Sequence, residues 1–226
     1  MRWTLKPQPE KEKVEKLAKE LQVNSTIASI LCQRNIETFE DAKNYFRPNL
    51  KQIHDPFLMK DMDVAVSRIE TAIANNENIL IYGDYDVDGT TAVSLVSSYL
   101  KTIYSNIATY IPDRYAEGYG VSYKGIDFAH DNDFSLIIDL DCGIKAIEKV
   151  AYATKKNIDF IICDHHKPGP EIPKAIAVLN AKRNDCTYPF DELCGCGVGF
   201  KLIQALGVSR HKTIEDFLTY LDLVAT

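Results

Sequence analysis

Residues 79–91 read ILIYGDYDVDGTT: four apolar residues, a glycine, then aspartates at 84, 86 and 88 closed by Gly89. A short apolar run bounded by polar residues has the composition of a buried strand. The same pattern recurs. Residues 107–111, 136–138, 160–163 and 175–179 read as strands, and 91–103 and 144–156 carry helical spacing. Strands alternating with helices imply βαβ units, a parallel sheet flanked by helices and right-handed crossovers. The expected class is therefore α/β. In such sheets ligands collect beyond the carboxyl ends of the strands, where the polar clusters of this chain fall.

Working outward, residues 11–46 hold apolar stripes at helical spacing: Val14, Leu17 and Leu21, then Ile27, Ile30 and Leu31, then Phe39, Ala42, Tyr45 and Phe46. They predict a small helical extension. The proline-punctuated stretch RPNLKQIHDPFLMKDM follows as a linker, and 64–74 reads as a helix. We expect residues 1–60 to be extension and linker and 61–226 the main domain.

With 226 residues, 46% hydrophobic and 26% charged, the chain suits one full α/β domain with a small addition. No apolar run approaches the ~20 residues that span a bilayer, so no membrane role is expected. The first residues carry no secretory signal, and the cytoplasm is the expected compartment. Six cysteines lack CxxC spacing and read as reduced, mostly buried thiols. A net charge of -6 argues against coating nucleic acid through a global basic field, but leaves room for a local groove around bound cations.

Three clusters carry chemistry. In the first, Asp84, Asp86 and Asp88 repel one another unless a cation sits among them, so metal binding outweighs a solvated acidic loop. An EF-hand would need a glutamate at its twelfth position, which here is Leu95. The string DVDGTT also resembles the haloacid-dehalogenase phosphatases, with an aspartate nucleophile; the late acidic pair that this reading needs is hinted at only by KRNDC. In the second cluster, SLIIDLDCG, Asp139 lies in the apolar run and is the structural candidate, while Asp141 is placed to be a ligand. The third, FIICDHHKPG, ends a strand on Asp164, His165 and His166, a carboxylate with adjacent imidazoles. Carboxylate and imidazole donors without thiolates suit manganese, with magnesium next. Two such ions, sharing a carboxylate, activate water and neutralise phosphoryl oxygens. No phosphate-binding GxxxxGK loop, GxSxG elbow or GxGxxG turn is present in the sequence.

GDYDVDG, DCG and DHH in this order resemble the DHH phosphoesterase superfamily. HDPFLMKDM, PDRYAEGYG, GCGVGFKL and LDLVA narrow the resemblance to the RecJ exonucleases and extend it over essentially the whole chain. The resemblance implies that Asp86, Asp88, Asp141, His165 and Asp222 ligate two divalent ions, Mn2+ or Mg2+, with Asp141 bridging and Asp84 and Asp164 beside them. It further implies that His166 faces the phosphate, that Arg114 contacts phosphate, and that Gly118, Tyr119 and Gly120 let the backbone approach the nucleotide. Asp222 is promoted by the resemblance alone, since its own surroundings read as the polar face of a helix. The implied activity is hydrolysis of single-stranded DNA from an end, 5' to 3', in repair and recombination, with a single-strand-binding protein or helicase as partners. The alternatives are a phosphatase or phosphodiesterase of small esters or short oligonucleotides, and a non-catalytic relative. DCG in place of the family's more usual DNG or DHG, and Ala181 where proline is common, depart from the pattern without touching a ligand. The chain stops in a helical pattern where the family continues into a second lobe, which reads as an excised domain.

Overall fold

The computed structural model describes residues 4–225. They form two compact units that meet in sequence between Ile53 and His54. The first holds helices α1 (Lys11–Leu21), α2 (Ser25–Cys32) and α3 (Phe39–Phe46) and a 3-10 turn at Leu50–Gln52. Asn24 caps α2 by accepting from Ile27 N, and Thr38 and Asp41 form a reciprocal capping box on α3. The core of this unit is small: Val14, Leu17, Ala28, Leu31, Cys32, Ile36 and Ala42. Of the expected stripes, Ile27, Ile30, Phe39, Tyr45 and Phe46 stay exposed.

The second unit is a parallel sheet of five strands in the order β2-β1-β3-β4-β5. The strands are β1 (Asn78–Gly83), β2 (Ile107–Tyr110), β3 (Phe134–Leu140), β4 (Asp159–Cys163) and β5 (Ala177–Leu179). Helices α4 (Met62–Ala74), α5 (Val87–Lys101), α6 (Tyr123–Asp131), α7 (Ile147–Lys155), α8 (Gly195–Val208) and α9 (Leu221–Val224) surround it. The α/β fold expected from the alternation of apolar runs and helical spacing is the one observed.

Strand side chains alternate between two cores, as the pleat requires. Ile79 and Ile81, Leu136, Ile138 and Leu140, and Ile161 and Cys163 join residues of α4, α5 and α8 on one face. Leu80 and Tyr82, Ile137, and Phe160 and Ile162 join residues of α6 and α7 on the other. With both faces covered, the strands carry near-continuous apolar sequence. The 3-10 turn at Pro56–Leu58 and the buried Met59 belong to this unit, whereas Leu50–Gln52 belongs to the first. The stretch read as one linker is thus divided between them.

Register then decides where the chemistry lies. Gly83 pairs with Leu140 and Leu140 with Cys163, so the next residues, Asp84, Asp141 and Asp164, emerge side by side. Asp141 N donates to Cys163 O at 2.8 Å and Asp164 N to Leu179 O at 3.0 Å. Strand order reverses between β1 and β3, the switch point at which such sheets open a crevice.

Candidate metal centre and phosphate site

Asp84, Asp141 and Asp164 are all buried, and burial disfavours a charged carboxylate unless something compensates. Each is compensated differently. Asp164 is fully supplied: it accepts from Ile144 N at 2.9 Å, from His166 N at 3.0 Å and from His166 Nδ1 at 2.7 Å. Burial pulls its pKa up, but these donors and the imidazole charge outweigh it and hold the carboxyl below its ordinary range. In return the Asp164 carboxylate raises the pKa of His166, and Asn180 Nδ2 fixes the His166 carbonyl at 2.9 Å. The Nε2 of His166 is left pointing to the Tyr119 hydroxyl, 3.4 Å away.

Asp141 is undersupplied. Its Oδ1 is buried and lies 3.2 Å from His165 Nε2, without the alignment of a hydrogen bond. Burial first, then repulsion from Asp88 and Asp86, pushes its carboxyl up to about 6. The residue sits at φ 64, in the left-handed region that aspartate tolerates better than most side chains. Gly195, at the start of α8, comes so close that a Cβ there would lie 2.3 Å from Asp141 Oδ1. Asp84 Oδ2 is likewise buried without a hydrogen-bond partner, while its Oδ1 accepts from Gly120 N at 3.3 Å. Burial raises its pKa too. Asp139, inside β3, is fully buried and held protonated by burial; Cys142 Sγ donates to it at 2.9 Å. Gly143, at φ 96, makes room for that carboxyl, because a Cβ would meet Asp139 Oδ2 at 2.0 Å.

The remaining aspartates of the first cluster lie in the start of α5 rather than in a free turn. Asp86 is the N-cap and accepts from Gly89 N at 3.0 Å. Asp88, in the first turn, reaches across to the start of α8 and accepts from Gly195 N and Cys196 N, both at 2.7 Å. Negative charge is favourable at both helix ends. His165 Nε2 stands 3.6 Å from Asp88 Oδ2, and its pKa is raised, chiefly by the Asp141 carboxylate.

One donor atom each from Asp141, His165 and His166 lies within 4.8 Å of the others. This converging set does not include Asp84, Asp86, Asp88 or Asp222. Asp86 and Asp88 are near enough to act electrostatically on Asp141, whereas Asp222, exposed on α9, accepts from Leu223 N at 2.8 Å. Orphaned buried oxygens beside imidazoles, without a thiolate in the set, fit a hard divalent cation.

Around this centre, residues 112–122 form a loop in which Glu117 accepts from Asp113 N at 2.9 Å and from the Tyr110 hydroxyl at 3.0 Å. Gly118 and Gly120 adopt φ 83 and φ 73. The Arg114 guanidinium lies over the Tyr85 ring at 5.2 Å rather than in an ion pair with Asp113 or Glu117. Asp185, in the KRNDC segment, pairs with Arg183, which also binds Asp61; this acidic residue is committed to a structural ion pair. The role of Gly195 and Cys196 in holding Asp88 escaped sequence reasoning; the glycines of GCGVG were the available signal.

A five-stranded parallel sheet with carboxylates and paired histidines at three neighbouring strand ends defines a phosphoesterase-type centre. The sequence signature of the DHH family, N-terminal domain, matches residues 78–226, and the chain belongs to that family. The chain is 42% identical over 206 residues to the single-stranded-DNA-specific exonuclease RecJ of Bacillus subtilis (strain 168), covering 91% of this chain and 26% of that protein. To RecJ of Escherichia coli (strain K12) it is 33% identical, covering 74% of this chain and 31% of the relative. It thus spans about a quarter to a third of these relatives. Among solved structures, exonuclease RecJ bound to manganese superposes with a TM-score of 0.66 at 29% identity, over 74% of this chain and 42% of that one. RecJ of Thermus thermophilus in complex with Mn2+ gives 0.75 at 23% identity, over 99% of this chain and 31% of that one, a likeness of fold.

Proposed function

We propose that the chain is the metal-binding catalytic part of an exonuclease that hydrolyses phosphodiester bonds in single-stranded DNA. The observation that carries this reading is the convergence of Asp141, His165 and His166 beside a buried carboxylate oxygen that no protein donor satisfies. Asp84, Asp86, Asp88, Asp141, His165 and Asp222 are assigned to two divalent ions, manganese before magnesium, with Asp141 shared between them. Such ions supply charge neutralisation of the phosphoryl oxygens and a water acidic enough to attack at neutral pH.

The chain's own groups do the rest. Asp164 fixes the orientation of His166 and favours its charged form, which suits an imidazolium facing a phosphate oxygen. Asp88 is held by two backbone N–H groups, so its free edge points back to His165. Arg114 and the backbone at Gly118, Tyr119 and Gly120 receive the phosphates and sugar that follow. The hydrolytic role falls to residues 61–226, with 1–60 as extension and linker. Digestion from the 5' end, cytoplasmic work in repair and recombination, and delivery of the strand by a single-strand-binding protein or helicase follow from the RecJ relatives' names and kind. Among the described residues no helix is long and apolar enough to cross a membrane.

The test is release of nucleotides from end-labelled single-stranded and duplex DNA with manganese, for the chain and its Asp86→Ala and His165→Ala variants. Loss of the single strand alone, absent in both variants, is expected. Cleavage of small phosphoesters with the DNA left intact would move the assignment to a small-ester phosphodiesterase.

A further inference from the structure

Beyond His166, on the side lined by none of Asp86, Asp88, Asp141 or His165, lies a cavity of about 230 Å³. Its walls are largely apolar, with Tyr119, Ile144 and Ala146 among them, and Lys145 and Lys149 line it as well. Neither lysine makes a hydrogen bond or ion pair among the described residues. By contrast Lys156, at the other end of α7, pairs with Asp127 at 3.0 Å. The one carboxylate in the lining, Asp164, already accepts three hydrogen bonds. Lys145 acts electrostatically on His166, and together with Lys167 it also borders a neighbouring open groove. An acidic centre and a cationic apolar cavity thus adjoin at a single histidine.

That division of charge matches one repeating unit of a nucleic acid strand. A phosphate engaged at the acidic centre carries, one bond further along, a sugar and a planar base, and then another phosphate. The apolar wall with an aromatic ring suits a base of any identity, and unpaired ammonium groups suit the phosphate. We propose that this cavity is a subsite for the single nucleotide unit next to the reacting phosphate, its base against Tyr119, Ile144 and Ala146 and its own phosphate on Lys145 and Lys149. The inference rests on the nuclease reading above and adds to it the residues that hold the neighbouring unit.

The test is nitrogen-15 NMR titration of the full chain, without metal, using thymidine 5'-monophosphate, deoxyribose 5-phosphate and inorganic phosphate. Shifts at residues 119–121 and 142–149 on adding the nucleotide are expected. Binding of deoxyribose 5-phosphate should be about tenfold weaker, the discrimination that one base contact provides. Lys145→Ala with Lys149→Ala should weaken the nucleotide by at least about tenfold, with an unchanged melting temperature. Ala146→Phe, which fills the cavity, should remove the preference for nucleotide over deoxyribose phosphate. Shifts absent from these residues, or equal affinity for nucleotide, sugar phosphate and phosphate alone, would overturn the proposal. DNA digestion by the wild type without these shifts would sink the subsite and leave the nuclease reading standing; shifts without digestion would do the reverse.

Discussion

Replacing Gly195 by alanine tests whether the start of α8 holds the metal centre in shape. The new methyl carbon would lie 2.3 Å from Asp141 Oδ1 and 2.6 Å from its Cβ and Cγ, about 1 Å inside ordinary contact. Asp141 cannot swing away as a flexible side chain does, because its Cβ is also struck and its N–H is tied to Cys163 O at 2.8 Å. Overpacking of this kind costs about 1–3 kcal/mol, and in a chain of this length each kcal/mol lowers the melting temperature by about 2–4 °C. Displacing the shared carboxylate should also weaken manganese by about 10–100-fold. At a manganese concentration one hundred times the wild-type Kd, the wild type gains about 2.7 kcal/mol, whereas a variant weakened a hundredfold gains about 0.4 kcal/mol. Scanning calorimetry with and without manganese reads both effects. A Gly195→Ala protein that melts with the wild type and shows the same manganese-induced rise would refute the reasoning.

The pH dependence has a definite sign. Burial raises Asp141 to about 6 from 3.8, so its contribution to the metal-free chain is present below about pH 4 and lost as pH rises through 6. Burial raises Asp84 and Asp139 as well, in the same direction. Manganese must displace the Asp141 proton, so its affinity should rise about tenfold between pH 5 and pH 7; calorimetric titrations giving equal affinities would contradict the shift. Asp164→Asn removes a buried acceptor of three hydrogen bonds and should cost about 3 kcal/mol, or roughly 6–12 °C in melting temperature. A variant that melts within a degree or two of the wild type would show that Asp164 does not hold His166.

Much of this was legible in the sequence for definite physical reasons. Strands buried on both faces leave unbroken apolar runs, and the polar residues that end them mark the crevice, which is why 79–82, 136–138 and 160–163 fall within a few residues of the bounds of β1, β3 and β4. The start of α5 was missed because Asp86 and Asp88 read as a loop, although aspartates at a helix start satisfy its free N–H groups. Helix α8 was missed for the opposite reason: GCGVGFKL is buried all round and shows no polar face to give a period. In the first unit the apolar stripes marked helices correctly but overstated the core, since short helices around seven small or medium side chains leave Phe39, Tyr45 and Phe46 outside. The cross-chain bonds from Gly195 and Cys196 to Asp88 span 107 and 108 residues, and no local pattern encodes them.

The central claim is that three neighbouring strand ends build a centre for two divalent ions. Calorimetric titration of manganese into the chain at pH 7 tests it most directly, with Asp141→Asn alongside and circular dichroism to show that the variant folds. Saturation at two ions per chain, reduced to one or none in the variant, is the predicted result. No saturable binding by the wild type, or binding untouched by Asp141→Asn, would contradict the account.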